Sequence, residues 1–239
     1  MSGGYAAQKA GNLARPLTHA VGRLTGAFLF HSLCLIVMCW LELWAEARPA
    51  PSLPDVLVAH IAYVPWIDRW NYLLWTFAYA PVAVALFLRH RERFIRYLIA
   101  GGIVCLVRGL CIAATGLGPV RGGPDIHVGL TSTERFSALW QLVTPMSGFV
   151  HFANPFYLTK DLFFSGHISS TFILLLYAWP FPRLRAVALV THVLVVLSVF
   201  FAHLHYTIDV IGAYAICFTI FVLYESKPGA LRQLTSGAA

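Results

Sequence analysis

Apolar runs long enough to cross a bilayer recur along this chain, separated by short polar links. Six of them are read as spans, at 24–44, 70–88, 94–117, 162–181, 186–202 and 205–224. Each is roughly 17 to 24 residues, the length a helix needs to traverse ~30 Å of hydrocarbon. Helix is required, because an isolated strand would leave its backbone groups unsatisfied in lipid. The pattern therefore predicts an all-α integral membrane protein, a six-transmembrane-helix bundle over 24–224 between flexible tails at 1–23 and 225–239. The first run is too long for the core of a cleavable signal peptide and lacks a small-residue cleavage site, so it is read as an uncleaved span. Two connections break the regularity. Residues 47–69 carry Pro49, Pro51, Pro54 and Pro65. Residues 118–161 are rich in Gly, Pro and aromatic side chains (Trp140, Phe149, Phe152, Phe156, Tyr157), where short or re-entrant helical structure is expected.

Composition agrees with a lipid environment. Of 239 residues, 59% are hydrophobic and 11% charged, against roughly 25% charged in an average soluble domain. A formal net charge of +7 would suggest nucleic acid in a soluble protein; here the basic residues follow topology instead. Lys9, Arg15, Arg23, Arg89, Arg91, Arg93, Arg96, Arg183, Arg185, Lys227 and Arg232 fall in tails and links on one side. Glu42, Glu46, Asp55, Asp68, Asp125, Glu134, Asp161 and Asp209 fall on the other. The positive-inside rule then puts both termini in the cytoplasm. The five cysteines lie inside apolar runs with no metal-ligand spacing, so neither a disulfide framework nor a metal site is expected.

That topology has a chemical consequence. Ionisable groups in or at the ends of spans are costly and are functional candidates by default. Ser165-Gly166-His167 reaches the outer end of span four, and His205-Tyr206-Thr207-Ile208-Asp209 the outer end of span six. Two histidines and a carboxylate thus meet the same leaflet. On a helix, His205 and Asp209 would share a face. The carboxylate would fix the imidazole tautomer and raise the basicity of the other ring nitrogen. Ser165, Gly166 and His167 open a helix, where free N–H groups and the dipole attract phosphate. One histidine attacking phosphorus and another protonating the leaving alkoxide is what a double-displacement phosphoryl transfer needs. Arg108, near mid-span, is expected to face the interior, either contacting a phosphate or pairing with a buried acid or backbone carbonyls. Asp55 is equally a candidate contact for a cationic head group and a solvated loop acid, and Lys160 adds positive charge near the site entrance. The Arg-rich link at 89–96 is read as a topogenic belt, and His31, His192 and His203 as structural. The outer aromatics serve mainly as interfacial anchors, though an aromatic cage would suit a choline group.

The stretch Asp161-Leu162-Phe163-Phe164-Ser165-Gly166-His167, with His205-Tyr206-Thr207-Ile208-Asp209-Val210, resembles the sphingomyelin synthase family within the type 2 phosphatidic acid phosphatase superfamily. Ser52-Leu53-Pro54-Asp55 is similar to the family's Pro-Leu-Pro-Asp motif. The basic link with Tyr97, and Arg108 with Gly118-Pro119-Val120, is similar to its third span. The resemblance covers roughly residues 52–224. It implies that His205 attacks the donor lipid's phosphorus to give a phosphohistidine, that Asp209 supports it, and that His167 protonates the departing diacylglycerol oxygen. Ceramide or a related lipid alcohol then takes the head group, without metal or cofactor. Asp161 and Tyr206, within the two motifs, join the substrate-side candidates. Two departures stand out. Thr159-Lys160-Asp161 replaces the family's Cys-Gly-Asp, and Ser198 is followed by Val199 where the superfamily carries a phosphate-binding Ser-Arg pair. The second argues against a plain phosphatidate phosphatase.

The expected activity is transfer of phosphocholine or phosphoethanolamine from a glycerophospholipid to a lipid alcohol, at the extracytoplasmic face of a membrane. The rivals are a hydrolase using water on the same residues, and a non-catalytic lipid-binding or transport protein. Oligomeric state is not encoded legibly.

Overall fold

The computed structural model describes residues 3–121, 128–144 and 158–226, with side chains from residue 21 onward. These residues form eight helices and no strands: α1 (Gly3–Glu46), α2 (Val56–His60), α3 (Pro65–Arg89), α4 (Arg91–Ala114), α5 (Ser132–Val143), α6 (Gly166–Ala178), α7 (Pro182–Phe201) and α8 (Thr207–Glu225). Five stretches are long and apolar enough to cross a membrane: Val21–Glu46, Pro65–Arg89, Arg91–Ala114, Pro182–Phe201 and Thr207–Glu225. Many of their large apolar side chains point outward, among them Leu29, Leu33, Phe77, Leu88, Leu110, Val190 and Leu223. Such a surface suits hydrocarbon, not water.

Three sequence expectations are corrected. The span placed at 162–181 is helical only over the 13 residues Gly166–Ala178, about 20 Å of helix at 1.5 Å per residue. It starts late because Ser165 caps it, its Oγ accepting from the Ile168 N–H at 3.4 Å. It ends early at the turn before Pro182, whose fixed φ opens α7 instead. The N-terminal residues expected as a flexible tail are helical from Gly3, a stretch whose Ala, Gln and Lys residues favour helix. Finally, α3 begins at Pro65, earlier than residue 70, with the proline in the first turn, where its missing N–H costs nothing. The proline-rich 47–69 connection otherwise holds only α2, and α5 is the short helix expected within 118–161. Phe149, Phe152, Phe156, Tyr157 and Asp125 lie outside the described residues.

Packing places α1 along α4, α3 against α7, and α6 among α3, α4, α7 and α8. The α1–α4 approach is close because α4 offers glycines. A Cβ on Gly109 would sit 2.9 Å from the Met38 Cα. The core divides into two clusters. One gathers Leu86, Tyr97, Leu98, Leu174, Tyr177 and Ala188. The other gathers Val104, Phe164, Ile168, Val199, Val210 and Cys217, directly beneath the segments that carry His167 and Asp209. The basic link meets its partners at the end of the bundle away from those segments. Arg23 pairs with Glu92 at 2.8 Å, Arg96 with Glu225 at 2.5 Å, and His90 stacks on Phe181.

Candidate active site

At the opposite end, the N-terminus of α6 faces the N-terminus of α8. The His167 and His205 rings lie 6.2 Å apart, centroid to centroid, at an interplanar angle of 64°. His205 is 3% exposed and Asp209 fully buried. Nδ1 of His205 lies 3.3 Å from Asp209 Oδ2. The Asp209 side chain already accepts from two backbone N–H groups, and, with it accepting here too, Nδ1 is the donor and Nε2 the nitrogen left for chemistry.

The contact arises differently from the helical-face expectation. α8 begins at Thr207, so His205 lies in the preceding loop. Asp209, third residue of the helix, accepts the Tyr206 N–H on Oδ2 at 3.0 Å. This is the reciprocal arm of a capping turn, and the same oxygen reaches the histidine one residue before the cap. Its other oxygen accepts the Phe163 N–H at 3.1 Å, and its backbone carbonyl accepts the Ser165 N–H at 3.2 Å. A single aspartate therefore binds both histidine-bearing segments.

Gly166 is small for a reason. A Cβ there would stand 3.0 Å from the guanidinium carbon of Arg108. Arg108 faces the interior as expected, but its donors are occupied. Nε donates to the Phe164 carbonyl at 2.7 Å, Nη1 pairs with Glu42 and Nη2 with Asp161. Of the two readings of Arg108, the geometry supports the buried ion pair. Its role is to hold the 161–166 segment that presents His167, and both carboxylates compensate a buried cation that would otherwise be prohibitive. Asp161 is accordingly a partner of Arg108; its side chain stays 25% exposed. Lys160, expected at the entrance, is buried. Its backbone N–H donates to Glu46, and its ammonium donates to the Arg48 carbonyl at 2.6 Å.

Tyr206 and Asp55 are likewise structural contacts in this arrangement. The buried Tyr206 hydroxyl accepts the Leu53 N–H and donates to the Gly118 carbonyl, each at 2.9 Å. The Asp55 carboxylate caps α2 through the Leu57 and Val58 N–H groups, both at 3.0 Å. It also accepts the Thr207 N–H at 2.6 Å and the Thr207 hydroxyl at 2.9 Å. Burial alone would raise its pKa, but the bonds from Thr207, Val58 and Leu57 outweigh that and hold it below the usual aspartate value.

Sequence reasoning passed over the supports of His167. The Trp75 ring sits edge-on 5.9 Å away, and its Nε1 donates to Ser170 Oγ at 2.9 Å. Ser170 and Thr171 donate in turn to the His167 carbonyl at 3.0 and 2.9 Å. The signal was present: hydroxyls three and four residues after a histidine lie over its carbonyl on a helix. Glu42 and Glu46, four apart in an apolar run, were counted only as outer charge. Among the described residues, no three His, Cys, Asp or Glu side chains are grouped to hold a metal ion.

Chemically, the site offers one imidazole oriented by a buried carboxylate and a second imidazole facing it. Their 6.2 Å centroid separation is on the scale of two reacting contacts of about 3–3.5 Å each. No curated protein matches the chain. Residues 160–226 match the family model described as PAP2 superfamily C-terminal. The matched stretch contains both histidines and Asp209, and it supports a likeness to the type 2 phosphatidic acid phosphatase superfamily.

Proposed function

We propose that the chain is a polytopic membrane enzyme that moves a phosphocholine or phosphoethanolamine head group from a glycerophospholipid to ceramide or a related lipid alcohol. The family-model match supports lipid phosphoester chemistry in general. What carries the reading to a residue level is the 6.2 Å approach of His167 to a carboxylate-bound His205. His205 Nε2 attacks phosphorus and the P–O bond to diacylglycerol breaks, its oxygen taking a proton from His167. The acceptor hydroxyl then attacks the phosphohistidine, passes its proton to His167, and the N–P bond breaks. In this reading α6 completes a six-span bundle, both termini are cytoplasmic, and the site opens to the extracytoplasmic leaflet. The short α6 fits, since the non-helical 161–165 segment, mostly buried, covers the remaining depth while shielded within protein.

The test is product analysis. Purified protein in vesicles is given head-group-labelled phosphatidylcholine or phosphatidylethanolamine, with and without ceramide. Label appearing in a ceramide product supports the transferase. Free phosphoamine or phosphate, produced at a rate indifferent to ceramide, identifies a hydrolase on the same residues. Full activity of His205→Ala would reject both.

A further inference from the structure

Among the described residues, the side-chain bond of His205 is the one to Asp209, and the residues around it are laced to the outer connections. Upstream, the Val64 N–H donates to the Phe201 carbonyl at 2.8 Å, and His203 Nε2 donates to the Ile61 carbonyl at 2.9 Å. Downstream, Tyr206 holds Leu53 and Gly118 through its hydroxyl, and Thr207 gives both its N–H and its hydroxyl to Asp55. The 2.6 Å bond from the Thr207 N–H is the shortest of these, and a charged acceptor makes it strong. It fixes the first residue of α8, two positions from the nucleophilic ring.

We propose that Asp55 is a positioning residue: its carboxylate sets the start of α8 and so aims His205 at His167. The inference rests on the proposed function for the reaction it serves. It replaces a head-group role for Asp55, because four donors already converge on that carboxylate, close to its full accepting capacity. The nearby surface agrees. The groove of about 740 Å³ beside Asp55 is lined mostly by apolar side chains, together with His60, Tyr206 and Thr207, and among the described residues its lining holds no second acid to share a cation.

Two substitutions isolate the brace from the fold. Asp55→Asn keeps the cap of α2, since Asn and Asp are equivalent there, but presents an amide in place of one carboxylate oxygen. Thr207→Pro removes the N–H and hydroxyl at a first helical position, where proline is tolerated. Tyr206 before it has φ −70° and ψ 158°, already compatible with a following proline. Each variant is expected to lower kcat about tenfold, the worth of a bond to a charged acceptor. The donor KM should stay within about twofold, and the double variant should be no slower than either single one. Amide exchange at Tyr206 and Thr207 should rise in Asp55→Asn. A higher KM for choline donors with kcat intact would return Asp55 to substrate binding and overturn the proposal. So would unchanged kcat per folded molecule alongside a lower Tm, or additive losses in the double variant. If the unmodified protein acts on no lipid phosphoester, the proposed function fails on its own. Amide exchange then decides the brace, and unchanged exchange in Asp55→Asn rejects it.

Discussion

Asp209→Asn is the perturbation that separates orientation from bulk, because it turns one acceptor oxygen into a donor NH2 while keeping volume. In the native site, Oδ2 receives the His205 and Tyr206 N–H groups and Oδ1 receives the Phe163 N–H. An amide has one oxygen and one NH2. If the oxygen faces His205 and Tyr206, the NH2 opposes the Phe163 N–H, and the segment carrying His167 loses an anchor. If the amide is reversed, the NH2 opposes His205 Nδ1 and favours the tautomer whose proton sits on Nε2, the attacking atom. Bonds to a charged group contribute roughly 1.5–3 kcal/mol each, and leaving a buried donor unmet costs about 1–3 kcal/mol. Loss of one such bond together with one unmet donor gives about 3–5 kcal/mol. At ~1.4 kcal/mol per tenfold this predicts turnover reduced by two to four orders of magnitude. The assay is head-group transfer under single-turnover conditions, scored per folded molecule. The amplitude of head-group-labelled enzyme should fall with the rate. Turnover within threefold of the parent, in a variant with normal thermal stability, would refute the claim that Asp209 sets the histidine.

Three further outcomes follow from the geometry. His167→Ala should lose about 10²- to 10⁴-fold on natural donors, the usual worth of a general acid, yet recover most of it with a nitrophenyl phosphocholine donor whose leaving group needs no proton. His205→Ala should not recover, and equal behaviour of the two would remove the acid–nucleophile division. Arg108→Met should lower stability by about 3–5 kcal/mol, because it strands the buried Glu42 carboxylate; a Tm in detergent within 2 °C of the parent would contradict the pairing. For Asp55 the sign follows from a folded-state pKa below the unfolded value of about 3.9. Its stabilisation is complete above that value and is lost as pH falls through the lower, folded one. Unfolding midpoints of the parent and Asp55→Asn should therefore differ most above about pH 4 and converge below it; a gap that widens on acidification would reverse the assignment.

Much of this was legible in the sequence, and the exceptions share a cause. Runs of apolar residues identified five membrane-length helices because burial in lipid leaves a helix no alternative. Ser165 and Gly166 marked the start of α6 through local capping chemistry. His205 was placed on a helix because its spacing to Asp209 fits one, but Asp209 also satisfies a capping turn, and sequence spacing does not distinguish the two. Lys160 and Arg108 were harder. A charge in an apolar setting announces a partner without naming it, and the partners Glu42, Glu46 and Asp161 lie on α1 and on the segment before α6, which come together with α4 only in the folded bundle. Asp55 was read as a head-group contact or a solvated loop acid because its principal donor, Thr207, is far away along the chain.

The account depends on phosphorus being held between two imidazoles, with one of them forming a bond to it. The direct measurement is to quench enzyme mixed with head-group-labelled donor lipid in the absence of acceptor, and to map the label by peptide sequencing under alkaline conditions that preserve phosphohistidine. The account predicts label on His205, discharged by added lipid alcohol and absent from His205→Ala. Label on another residue, or efficient transfer by a variant lacking this imidazole, would contradict it.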